Sequence, residues 1–260
     1  MVGYLLSIFI GLSLGLIGGG GSILTIPILV YCFNVDPVIA STYSLFVVGI
    51  TSMAGALSHY QKGNVNMEVA VLFGIPSLIA VFIMRKWVMP MMPLHLISIG
   101  GHQLTKPVLL MTVFAIIMVI ASVSMIRKRR EVVTDHPCTN YKRLVLLSVF
   151  VGTITGFVGI GGGFIIIPSL ILFAGLPMKK AVGTSLTIMT ISSLIGVLGD
   201  VSRHEPINYA FLATFSTFAV AGIIVGCYLT KYIHDARLKP VFGWFVLCIG
   251  VVVLFSTIHK

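Results

Sequence analysis

The residues on which chemistry could rest are glycines. Gly18, Gly19, Gly20 and Gly21, followed by Ser22, interrupt one long apolar run; Gly159, Gly161, Gly162 and Gly163 interrupt another. Close helix packing uses spaced glycines, as in Gly11-x-x-x-Gly15, Gly152-x-x-x-Gly156 and Gly222-x-x-x-Gly226. Consecutive glycines instead favour a break in the helix. A helix that restarts after such a break exposes unpaired N–H groups and the positive end of its dipole, which can bind a small anion without a lysine. The halves before the breaks end near Leu16 and Phe157 and present carbonyls, which suit a cation.

Hydroxyls form the next set of candidates. Ser41, Thr42, Tyr43 and Ser44 correspond to Val182, Gly183, Thr184 and Ser185 under a shift of 141 residues. They either cap a helix start or hydrogen-bond an anion; Thr42, Ser44, Thr184 and Ser185 are taken as binding candidates. Thr51, Ser52, Thr190, Ser192 and Ser193 lie deeper and can bond carbonyls of their own helix. His59 and Asp200 occupy equivalent repeat positions near span ends. They are candidates for proton coupling, or else solvated helix ends. Arg85, Lys86 and Arg203 read as interfacial anchors. No H-x-x-x-H or H-E-x-x-H pairing and no nucleophile–base pair is present, so neither a metal site, a cofactor nor an enzyme is expected. No G-K-[ST] follows either cluster, so no P-loop is expected. The four cysteines form no C-x-x-C pair and read as structural.

Positioning these groups is a matter of membrane helices. Of 260 residues, 57% are hydrophobic and 9% charged; a soluble domain has about 25% charged residues, so these are too few to cover a soluble surface. The net charge of +10 falls in short gaps between apolar runs rather than among aromatics, so it points to loops flanking spans and not to nucleic acid. Residues 2–33 carry no basic n-region or small-x-small cleavage site and read as retained structure. Apolar runs occur at 2–33, 38–58, 67–84, 107–126, 144–174, 181–199, 207–230 and 240–258. A single span needs about 20 residues, so 2–33 and 144–174 are too long for one simple crossing.

The chain repeats itself. The shift lays Gly11, Gly15, Gly18, Gly20, Gly21, Ile26 and Pro27 on Gly152, Gly156, Gly159, Gly161, Gly162, Ile167 and Pro168. This predicts an all-α membrane protein of two four-segment repeats, 1–126 and 144–260, joined by a basic cytoplasmic linker, 127–143. If segments 1 and 5 are hairpins broken at the glycines, each half has three full crossings and the repeats are inverted. Twelve of the seventeen Lys and Arg residues then lie on the cytoplasmic side, as the positive-inside rule requires. If every run crosses once, the repeats are parallel and the charge bias vanishes.

The pattern G-x-x-x-G-x-x-G-x-G-G-x-x-x-x-x-P, carried by Gly11 to Pro27 and again by Gly152 to Pro168, resembles the TauE/SafE family of sulfite exporters. The stretches Ala40 to Leu45 and Ala181 to Leu186 look like the second-segment signature of that family. The resemblance covers both halves. It implies a multi-pass protein of the bacterial cytoplasmic membrane that moves sulfite, sulfonates or related organosulfur anions. The chain departs from strict repetition at Ser22, which stands opposite Gly163, and in the longer 85–106 loop with Pro90, Pro93, His95 and His102.

The expected function is therefore a secondary transporter or exporter of a small anion, working by alternating access around the glycine breaks. Its expected partners are the anion, the lipid bilayer and a coupling proton or sodium ion; the oligomeric state is left open. A small-anion channel and a non-transporting membrane scaffold are the alternatives.

Overall fold

The computed structural model describes residues 2–93, 95–99, 102–126, 141–201, 208–230 and 235–258. Its elements are α1 (Val2–Ile17), α2 (Gly20–Pro27), α3 (Pro37–Gln61), α4 (Met67–Ile83), α5 (Met89–Met91), α6 (Lys106–Ile126), α7 (Tyr141–Val158), α8 (Gly163–Phe173), α9 (Met178–Val201), α10 (Tyr209–Leu229) and α11 (Asp235–Ile258). π-helical turns at Ile28–Cys32 and Met84–Val88 prolong α2 and join α4 to α5. A short antiparallel pair, β1 (His95–Ile99) and β2 (His102–Thr105), precedes α6. Most of the sequence-predicted linker, residues 127–140, lies outside the described residues.

Among the described residues, four helical stretches are long and apolar enough to cross a membrane: Pro37–Gln61, Met67–Met91, Met178–Asp200 and Tyr209–Leu229. Local signals set their starts. Asp36 caps α3 by accepting from the Val38 N–H at 2.8 Å, with Pro37 in the first turn. Asn66 and Asn208 cap α4 and α10 in the same way, through the Val69 and Phe211 amides.

Residues 2–33 double back. α1 ends at Ile17, Gly18 takes a left-handed φ of 77°, and α2 starts at Gly20. The rings of Tyr4 and Phe33 then stack edge-on, 5.7 Å between centroids. A straight helix would separate these positions by about 43 Å at 1.5 Å per residue. Phe33 in turn packs on Phe211 and Phe215 of α10, which pins the open end of the hairpin. A Tyr4→Cys, Phe33→Cys pair in a Cys32→Ser background should therefore cross-link with a short thiol reagent in membranes. A continuous rod would give no cross-link.

Packing is reciprocal under the 141-residue shift. α1 lies along α10, and its counterpart α7 lies along α4, the counterpart of α10. α3 pairs with α9 and α6 with α11. Small residues bring the backbones together: a Cβ on Gly11 would overlap the Ala219 carbonyl, one on Gly222 the Ile8 carbonyl, and one on Gly152 the Ser77 carbonyl. Lipid tails are as apolar as leucine, so close backbone approach of this kind stabilises membrane helix pairs where burial alone does not. The outward faces carry large apolar side chains such as Leu57, Ile75, Leu146, Ile224 and Phe255.

Candidate functional site

The two glycine breaks meet inside the bundle. Gly19 and Gly163 touch backbone to backbone: a Cβ on Gly163 would fall 2.7 Å from the Gly19 Cα, and one on Gly19 would fall 2.7 Å from the Phe164 amide nitrogen. α2 and α8 therefore begin against one another. Neither start has a side-chain cap; Gly19 and Gly162 hold the cap positions. Ser22 donates instead to the Gly19 carbonyl at 2.7 Å. The second break steps along the bundle. Gly159 lies beside Ser41 and Arg85, Gly161 beside Val48 and Ser193, and Gly163 beside Met189. Gly159 has a φ of 81°, which disfavours any side chain there. In the first break, Gly18 packs on Val182 and Gly21 on Ile10 and Ser13.

The candidate hydroxyls separate into three places. Ser44 and Ser193 are fully buried, and their Oγ atoms have no hydrogen-bond partner among the described residues. Ser185 donates to the Val182 carbonyl and Ser52 to that of Gly49; Thr190 Oγ1 lies 3.1 Å from Ser52 Oγ. Thr51 and Ser192 bond carbonyls of their own helices. Thr184 lies at one end of the bundle, where its Oγ1 accepts from the Asn66 N–H at 3.0 Å. Thr42 lies at the other end and donates to Asp200 Oδ2 at 2.8 Å. Neither Thr42 nor Ser41 caps α3, because Asp36 does.

His59 and Asp200 are not solvated helix ends. They are 4% and 5% exposed. Asp200 pairs with Arg85, Nη1 to Oδ2 at 2.7 Å, and Arg85 Nη1 also donates to Ser41 Oγ at 3.1 Å. Arg85 is 0% exposed, so its reading as an interfacial anchor is corrected. The helix does not stop where the apolar run stops; it continues through the π turn to Met91 and carries Arg85 inward. Lys86, one residue on, is exposed and sits over the Phe82 ring at 5.3 Å. Sequence reasoning missed Arg85 although Trp87, Val88 and Met89 behind it signal that the span goes on. At the opposite end, both His59 nitrogens lack a hydrogen-bond partner among the described residues, and the ring's Cβ packs on Gly183.

No cluster of three or more His, Cys, Asp or Glu side chains that could hold a metal occurs among the described residues. Cys32, Cys227 and Cys248 are free thiols, while Cys138 lies outside the described residues. Arg203, His136, His204 and His234 also lie outside them.

Comparison with known proteins gives one family. The family model described as "Sulfite exporter TauE/SafE" matches residues 4–253. A "Probable membrane transporter protein" of Xylella fastidiosa is 29% identical, over 95% of this chain and 92% of its own length. The "Probable membrane transporter protein YdhB" of Bacillus subtilis is 26% identical, over 96% and 98%. A probable membrane transporter protein of Methanocaldococcus jannaschii is 27% identical, over 76% and 73%. No solved structure matches the chain significantly.

Proposed function

Because the chain belongs to the TauE/SafE family of membrane transporters, we propose that it carries a small oxyanion of the sulfite, sulfonate or related organosulfur class across the bacterial cytoplasmic membrane. One observation carries this reading: α2 and α8 begin against each other, with no side chain accepting from their first amides. Two positive helix ends that converge within an apolar bundle favour a negative solute. The buried hydroxyl of Ser193, which lies beside Gly161, would add a hydrogen bond. On this reading Gly18, Gly20, Gly21, Ser22, Gly159, Gly161, Gly162 and Gly163 form the backbone of the site, and Thr184 and Ser185 line its approach.

The motion is alternating access. The reciprocal packing of α1 on α10 and α7 on α4 supports two repeats related by a two-fold axis. The doubling back of residues 4–33 is what three full crossings per half would require of the first repeat, and so supports inversion. Rocking one repeat against the other would part Gly19 from Gly163 and open the site to one side at a time. The contact between the tips favours a carrier over a channel, which needs a continuous path. His59 and Asp200 would be the coupling groups if a proton drives the cycle; a sodium ion is the alternative driver.

Uptake into proteoliposomes tests the reading, with sulfite, thiosulfate, sulfoacetate, taurine and chloride as solutes. At least one sulfur oxyanion should enter with saturation and counterflow. Unsaturable chloride flux alone would make the protein a channel, and no flux of any anion would leave it a scaffold.

A further inference from the structure

We propose that the Arg85 guanidinium is a binding group for the transported oxyanion, and that the Asp200 carboxylate competes with the anion for it. The inference rests on the anion-carrier reading and assigns that site its fixed positive charge.

Geometry brings Arg85 to the break. A Cβ on Gly159 would overlap Arg85 Nη2, so the guanidinium lies against the backbone of the second glycine cluster. Arg85 itself stands on the π turn at Met84–Val88, a local widening that proteins tend to retain at functional sites. Two donors converge on one carboxylate oxygen: Arg85 Nη1 at 2.7 Å and Thr42 Oγ1 at 2.8 Å from Asp200 Oδ2. Ser41 donates to the Val38 carbonyl, which turns an acceptor lone pair toward Arg85 and holds its orientation. A sulfonate or sulfite oxygen has the charge and acceptor geometry of the carboxylate oxygen it would replace.

The pair is poorly explained as a staple. Two apolar side chains of similar volume usually serve a buried interface as well as an ion pair does. Ionisable residues inside membrane proteins cluster on substrate and ion paths. The repeat supplies its own contrast: Arg85, Asp200, Thr42 and Ser41 correspond to Gly226, His59, Gly183 and Val182. At that opposite end the cation is Lys62, whose Nζ donates to the Cys227 carbonyl at 3.4 Å. Among the described residues the buried Arg–Asp pair thus stands at one end and not at its repeat counterpart, as expected of a group that takes the anion from one side and gives it up to a tethered competitor.

Two variants test the competition. Asp200→Asn keeps a carbonyl that can accept from Arg85 and Thr42 but removes the negative charge. It should lower the half-saturating concentration of the transported sulfur anion by roughly tenfold, about the worth of one charge-assisted hydrogen bond. The maximal rate should fall as well, because nothing displaces the anion. The double variant Arg85→Gln with Asp200→Asn leaves a neutral pair that can still hydrogen-bond. It should weaken anion binding at least roughly tenfold, read as loss of the thermal shift that sulfite, thiosulfate or sulfoacetate induces in detergent. A structural staple predicts unchanged or weaker binding in both variants, and that result would overturn the proposal while the anion-carrier reading stands. Wild-type protein that responds to no anion, in flux or thermal shift, would overturn both.

Discussion

Gly19→Ala should abolish solute uptake while the protein still inserts and remains monodisperse in detergent. Gly19 has a negative φ of −151°, outside the left-handed region that favours glycine. The effect is steric. The new methyl would overlap the Gly163 carbonyl and lie 2.7 Å from the Phe164 amide nitrogen. These are backbone atoms at the start of α8 and cannot rotate away. Overpacking of this kind costs about 1–3 kcal/mol, enough to hold the two tips apart without unfolding the bundle. Gly74→Ala is the matched control. It puts the same methyl on α4, 3.6 Å from Ile188 Cγ1, an ordinary contact, and should transport normally. Uptake by Gly19→Ala at the wild-type rate would mean that the breaks need not close on each other, and rocking around them would be wrong.

The helices were legible because lipid leaves few choices: apolar runs at 38–58, 67–84, 107–126, 181–199 and 207–230 become α3, α4, α6, α9 and α10 with ends displaced by a few residues. The glycine clusters mark where α1 and α7 end, since consecutive residues without a Cβ leave a helix nothing to pack and allow φ values such as 77° at Gly18. Side-chain partners were less legible. Asp200 and Arg85 stand 115 residues apart, and only the folding of α9 against the end of α4 brings them together. Hydropathy placed Arg85 at a boundary because it weighs the charge and ignores the partner. The hydroxyls show the same limit. Thr42 and Ser44 sit two residues apart on α3, yet one bonds Asp200 and the other is buried with no partner among the described residues, because residues two apart on a helix point in different directions.

The second large effect concerns stability. Arg85→Ala should lower the unfolding midpoint sharply, by the equivalent of about 3–5 kcal/mol, because it takes the Arg85 charge away from the buried Asp200 carboxylate. Arg85 is 0% exposed and the Asp200 side chain 2%, so solvent does little to screen the loss. Adding Asp200→Ala removes the stranded charge and should recover most of that cost, although the single change at Arg85 already deletes the same packing. Midpoints of all three proteins, from heating in one detergent followed by size-exclusion recovery, give the coupling between the two sites. If the double variant is as unstable as Arg85→Ala alone, the cost comes from the aliphatic stem of the arginine, whose Cβ packs against Gly199 of α9. Recovery in the double variant would identify the burden as electrostatic. The anion-binding role proposed for Arg85 would account for such a burden in an interior where apolar residues would pack as well.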